Sequence, residues 1–306
     1  MKNIRNQIGI LYVILSAVLF GMMPLLAKVA YAHGSNAFTV AFGRFFFGSI
    51  VLGIVILFVP DCTIKINRQQ FLTLVKLAVP YALNPISLYT SYTYIDSGMA
   101  TTLHFTYPVA VMLIMVIFCK TRLDAKQIIC AVLCIGGMAL LYKPNGQISV
   151  PGILLAVVSG IVYSVYIVLL GKSTIKELHS LVLAFWISLL SSIEIGLIAL
   201  CSGNLVFNLD AAGWAAEVGM ALFATVFALV LFQKGVFLCG EVKASLFSTF
   251  EPLTGIMIGV IVFHEALTMK ETVGMIGVLT AAVLLVIPTK IIKHTIDSKE
   301  HLSGPH

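Results

Sequence analysis

The chain has 306 residues, 59% of them apolar and 10% charged, with a formal charge of +6. Soluble proteins average about 25% charged residues, so this composition leaves almost nothing for a soluble catalytic domain. The positive charge sorts to one side of a series of apolar segments, which argues against a nucleic-acid partner.

Ten apolar segments follow one another: 8–32, 37–59, 71–95, 98–119, 126–142, 151–170, 180–201, 214–236, 242–263 and 271–288. A hydrocarbon core about 30 Å thick takes ~20 apolar residues at 1.5 Å each. Inside lipid every backbone polar group must bond within its own element, so the segments predict ten helices. The predicted fold class is an all-α integral membrane protein whose ten transmembrane helices form two inverted five-helix repeats. Placing the N-terminus inside puts 15 of the 19 Lys and Arg on one side, from Lys2 and Arg5 to Lys290, Lys293 and Lys299. The positive-inside rule then places both termini in the cytoplasm, and the expected location of this multi-pass chain is the cell membrane, a bacterial inner membrane.

The first segment is too long for a signal-peptide h-region and reads as a helix, not a cleaved leader. Cys130 and Cys134 share a helix face but lack a third ligand nearby, which predicts apolar packing and no metal site. No cofactor is expected.

A shift of 144 lays residues 98–142 on 242–286 without a gap. Ala100 meets Ala244, Pro108 meets Pro252, Leu123 meets Leu267 and Lys126 meets Lys270. The layout of helix, proline, helix, short turn and helix recurs with them. A shift of 143 brings Gly9-Ile10-Leu11 onto Gly152-Ile153-Leu154 and Ser16 onto Ser159. The expected units are a first five-helix repeat over 1–145, a second over 146–290 and a cytoplasmic tail over 291–306. An odd number of helices per repeat inserts the two copies upside down relative to each other.

Phe250-Glu251-Pro252-Leu253, Gly259, His264-Glu265-Ala266-Leu267-Thr268, Gly274 and Gly277 form one constellation in the second half. Tyr89-Thr90-Ser91, Tyr107-Pro108 and Arg44 stand in the first. On these residues the sequence resembles the ten-helix EamA type of the drug/metabolite transporter superfamily, over about residues 8–288. The first-half turn departs from that pattern, with Thr121 where the family usually has glutamate. The resemblance implies a secondary carrier with a central cavity between its halves, working by alternating access. Many relatives export amino acids or other small metabolites.

The polar residues at depth are the candidate site. Glu251 lies roughly 14 Å along the ninth helix, near the midplane, followed by the helix-disturbing Pro252. It is read as a substrate or proton site, or alternatively as a hydrogen-bonded clasp between helices. His104 is the second possible proton site, and Tyr107 stands where the repeat has Glu251. Asn84, Ser87, Ser91 and Tyr94 share a face of the third helix, with Tyr81, Tyr89 and Tyr92 beside it and Pro80 and Pro85 interrupting it. That face reads as a cavity lining or as tight interhelical bonding. Tyr163, Tyr166, Trp186 and Gln233 are expected to complete the wall from the second half.

Arg44 and Glu194 are expected to form a structural ion pair. Pro108, Pro252, the Gly255–Gly259 pair and Glu265 are expected to be architectural. Glycine and proline positions in the first, third, fourth and ninth helices, Gly21 and Pro24 among them, are expected bending points.

The function read from these residues is export of amino acids or other small zwitterionic or neutral metabolites. The alternative is proton-coupled multidrug efflux of lipophilic cations, and a membrane-embedded enzyme is the third class. The partners are then a small metabolite and the lipid bilayer, with proton coupling left open and the chain a monomer or homodimer.

Overall fold

The computed structural model describes residues 2–60, 62–141, 149–263 and 268–286. Every regular element in them is helical. The first span is α1 (Lys2–Phe20) and α2 (Met23–Ala32), the second α3 (Ala37–Phe58) and the third α4 (Arg68–Ser91). The fourth is α5 (Ser97–His104) and α6 (Tyr107–Ile117), and the fifth α7 (Ala125–Leu141). In the second half, α8 (Val150–Lys172) is the sixth span and α9 (Ser180–Cys201) the seventh. The eighth runs as α10 (Ala211–Met220), a π-helical stretch Ala221–Leu229 and α11 (Val230–Cys239). The ninth is α12 (Glu241–Phe247) and α13 (Phe250–Phe263), and the tenth α14 (Met269–Val286). Each predicted apolar segment is therefore a helical span. Seven are long and apolar enough to cross a membrane on length and composition alone, and Ala125–Leu141 is a shorter apolar helix.

Polar side chains fix where several spans begin. Asn36 accepts from the Thr39 amide to cap α3, and Asp210 accepts from Gly213 to cap α10. Asn67 and Gln70 exchange bonds in a capping box at the start of α4. These caps satisfy N–H groups that the first helical turn leaves unpaired.

The pairing of spans carries the inverted symmetry. The second packs on the seventh and the fifth on the tenth, each with its own counterpart. The first packs on the eighth just as the sixth packs on the third, and the ninth meets the first as the fourth meets the sixth. Exchanging the halves leaves this pattern unchanged. At the fifth–tenth contact, a Cβ on Gly137 would stand 2.7 Å from the Gly274 carbonyl, and one on Gly274 2.6 Å from that of Gly137. Only glycine at both positions allows so close an approach.

The fourth and ninth spans break at matching places. The helix interrupts at Phe105–Thr106 and at Ser248–Thr249, 143 residues apart, each just before the proline of the repeat. Pro108 and Pro252 have no N–H to close the turn behind them. The first span breaks at Gly21–Met22, ahead of Pro24. Pro80 and Pro85 behave differently: α4 runs through both, so the expected interruption of the third span is corrected.

Candidate substrate cavity

The broken spans meet around a cavity with about 370 Å³ of non-protein space including its mouth. Arg44 from α3, Tyr81, Asn84 and Tyr89 from α4, His104 from α5 and Tyr163 from α8 line it, with Glu251 from α13. Phe20, Met23 and Leu88 supply apolar wall. Small-molecule sites are built this way, mostly apolar with a few converging polar groups.

Glycines bring the breaks close to this space. A Cβ on Gly160 would stand 2.5 Å from the His104 carbonyl, and one on Gly21 2.7 Å from that of Glu251. The sixth span therefore presses on the broken fourth as the first presses on the broken ninth.

Arg44 is 4% exposed and bonded on every side. Its Nε donates to Thr225 Oγ1 at 3.3 Å, and its Nη1 to Tyr89 OH at 3.3 Å and Met23 Sδ at 3.2 Å. Nη2 donates to Tyr81 OH at 3.1 Å and to the Ala224 carbonyl at 3.5 Å. The guanidinium carbon also lies 5.0 Å from the Phe45 ring centre and 5.5 Å from that of Phe20, within cation–π range. Thr225 and Ala224 belong to the π-helical stretch of the eighth span, an irregularity of the kind that gathers at functional sites. The expected Arg44–Glu194 pair is thus corrected. Glu194 is half-buried on α9 and is not a partner of Arg44, whose donors all go to neutral acceptors. The acid that shares its cavity is Glu251.

Glu251 makes no side-chain hydrogen bond or ion pair among the described residues. It is half-buried and borders the cavity, so the clasp alternative for it is set aside. His104 Nδ1 lies 2.9 Å from Ser159 Oγ, which itself donates to the Ala156 carbonyl at 2.6 Å. The serine has one hydrogen, so in the neutral ring His104 Nδ1 is the donor and Nε2 keeps its lone pair. No direct bond joins His104 to Glu251. Asn84 Oδ1 is buried with no partner among the described residues.

Several expected wall residues lie elsewhere. Ser91 donates to its own helix at the Leu88 carbonyl, and Ser87 is half-buried outside the lining. Trp186 Nε1 donates to the Ile64 carbonyl at 2.9 Å, anchoring the connection between the second and third spans. Gln233 is fully buried and donates to Tyr166 OH at 3.2 Å. Tyr107 is sealed behind the cavity, its ring 5.2 Å from His104 and 5.0 Å from Tyr163. A Cβ on Gly255 would stand 3.9 Å from the Gly21 carbonyl, an ordinary contact, so the position that requires glycine there is Gly21 instead. Gly259 lies on α13, while Glu265 and the tail over 291–306 fall outside the described residues.

A buried acid on the eighth span escaped the sequence reading. Glu217 on α10 is 1% exposed, and its Oε1 accepts from Ser35 Oγ at 2.7 Å. Its Oε2 has no partner among the described residues. Around it the turn after the first span meets the 202–210 connection. His33 Nδ1 lies 2.6 Å from Asp210 Oδ2, Asn36 Nδ2 donates to the Asn204 carbonyl, and the Val206 amide donates to Thr39 Oγ1. At the opposite end Lys243 donates to Asn6 at 2.8 Å, and Lys172 lies 3.7 Å from Glu241. The Gly213 amide bond first, then the His33 bond, hold the Asp210 carboxyl below its ordinary value.

Comparison with known proteins agrees with this geometry. The chain is 26% identical over 262 residues to an uncharacterized transporter of Archaeoglobus fulgidus, covering 86% of this chain and 90% of that one. It is 25% identical over 295 residues to the uncharacterized transporter YvbV of Bacillus subtilis, covering 93% of each. A solved crystal structure matches with a TM-score of 0.77 over 94% of this chain and 98% of its own, at 14% identity, a likeness of fold. The model of the EamA-like transporter family matches twice, over residues 7–143 and 150–287. A two-fold set of spans, broken at matching places around one polar cavity, thus coincides with two copies of one family pattern, and the chain belongs to the EamA-like transporter family.

Proposed function

We propose that this membrane transporter carries small zwitterionic or neutral metabolites, amino acids foremost, outward across a bacterial inner membrane. Its halves, 1–145 and 146–290, rock against each other by alternating access, with both termini cytoplasmic. The observation that carries this reading is Glu251, a carboxylate at a helix break, unpaired and facing a space enclosed by both halves. An ionisable group at such depth is costly unless it serves a solute or a proton. Discontinuous helices at corresponding positions of two repeats favour a binding site between them.

In this reading Tyr81, Asn84, Tyr89, Tyr163 and Glu251 contact the solute, and Glu251 takes either its ammonium group or a proton. His104, with Nδ1 committed to Ser159, borders the site and modulates its polarity. The contacts of the 33–36 turn with the 202–210 connection close the outer end, and they must part for release.

A second reading is proton-coupled efflux of lipophilic cations, favoured by the same carboxylate beside aromatic walls. Uptake by proteoliposomes separates the two. A panel of amino acids and quaternary or lipophilic amines is offered with and without a pH gradient. Counterflow of amino acids supports the first reading. Transport of the cations alone overturns it in favour of the second. Transport of neither removes both.

A further inference from the structure

Arg44 has no N–H left for a solute. A guanidinium has five hydrogens, and Thr225, Met23, Tyr89, Tyr81 and the Ala224 carbonyl take all five. Arg44 therefore borders the cavity with its N–H groups already engaged, and its effect on a solute passes through the two phenols it holds. A phenol oxygen that accepts from a guanidinium turns its own hydrogen elsewhere. The Tyr89 hydrogen has only thioether sulfurs to meet, Met23 Sδ at 3.5 Å and Met220 Sδ at 3.9 Å, both weak acceptors. The Tyr81 hydroxyl has no acceptor among the described residues, and both tyrosines border the cavity. Hydroxyls polarised by an adjacent cation bond strongly to an anionic oxygen.

The other polar atoms at the cavity have the opposite character. Glu251 brings an unpaired carboxylate and Asn84 an unpaired Oδ1. The same lining thus holds both donating and accepting groups, together with apolar surface from Phe20, Met23 and Leu88.

We infer that Tyr81 and Tyr89 form a carboxylate-receiving wall, with Arg44 as the positioning residue that holds their hydroxyls, while Glu251 receives the ammonium group of the same solute. This deepens the carrier reading above and rests on it. The site then selects molecules with both charges and an apolar side chain. A lipophilic amine fills only the Glu251 end and leaves two polarised hydroxyls unmatched. A phosphorylated solute finds no free cationic donor, because Arg44 is already saturated.

The test is binding to the purified full-length chain, using L-leucine, L-phenylalanine and L-valine and their decarboxylated amines. Native protein is expected to bind the zwitterions at least about tenfold more tightly than the amines, the scale of one charged hydrogen bond. Tyr81→Phe should erase most of that ratio by weakening the zwitterions and leaving the amines within about twofold. Arg44→Lys keeps the charge but cannot hold both phenols in one fork, so it should lower the ratio in the same way. If Tyr81→Phe does not fold, Tyr89→Phe reads the same ratio. A merely structural role moves both ligand classes together, and that result, or an unchanged ratio, overturns the inference while the carrier reading stands. No binding of any of the three zwitterions to the native protein overturns both.

Discussion

Ser35 Oγ donates to Glu217 Oε1 at 2.7 Å, tying the turn after the first span to the eighth span across 182 positions of sequence. The other oxygen of Glu217 is buried and has no partner among the described residues. Removing the serine hydroxyl leaves the whole carboxyl unsatisfied. Ser35→Ala should therefore destabilise the protein by about 1–3 kcal/mol, the cost of an unmade buried hydrogen bond. Glu217→Gln keeps an acceptor for Ser35 and should be tolerated better. Thermal unfolding of the two purified variants checks the order, and equal losses would contradict it.

The break in the fourth span gives a steric prediction. Gly160 admits no Cβ, since one would stand 2.5 Å from the His104 carbonyl. Gly160→Ala should force the fourth and sixth spans apart at a cost of about 1–3 kcal/mol, typical of overpacking. Gly136, with nothing within 4 Å of a Cβ, should accept alanine without loss. Melting temperatures of the pair decide it. Equal behaviour would mean that the sixth span does not press on the break.

Asp210 predicts a pH dependence at the proposed outer end. The Gly213 amide and His33 hold its carboxyl below the ordinary aspartate value of about 4. A depressed carboxyl stabilises the fold above its unfolded value, and this contribution is lost as pH falls through the depressed one. Native protein should lose stability as pH falls below about 4, and Asp210→Asn should flatten part of that fall by lowering stability at neutral pH, where the charged carboxylate contributes. Unfolding temperature measured against pH reads this out. An identical acid limb in the variant would show the bond contributes nothing.

Much of the fold was legible because it follows from thickness. A span of lipid demands a fixed length of apolar helix, so all ten segments could be marked from hydropathy. Pro108 and Pro252, one repeat apart, marked the matched breaks. Helix rotation and side-chain rotamers were not legible. Asn84, Ser87 and Ser91 share a face by spacing, yet only Asn84 reaches the cavity, because Ser91 turns back to the Leu88 carbonyl. Trp186 was assigned to the wall by depth, whereas its indole reaches a loop carbonyl at Ile64. Arg44 looked like half of an ion pair, because nothing local reveals that two tyrosines and a π-helical turn absorb its donors. Glu217, seven residues after Asp210, is buried by a partner in the other half of the chain.

The Glu251 proposal predicts a separation of effects. Glu251→Gln preserves shape and leaves the neighbouring Arg44 bonds intact, so the protein should fold. Its uptake of zwitterions in proteoliposomes should fall at least about tenfold, the loss of one charged contact. Any stimulation by a pH gradient should vanish. Undiminished, gradient-dependent uptake by the variant would remove Glu251 from both roles.

The most direct measurement of alternating access is the exposure of Asn84 from the two sides of the membrane. In a background with the six native cysteines replaced, Asn84→Cys is treated with a membrane-impermeant thiol reagent in right-side-out and in inverted vesicles. Labelling from both sides, with protection by a transported amino acid, is the predicted result. A cysteine unreachable from either side, or labelled from one side only with or without solute, would contradict a carrier whose cavity opens alternately.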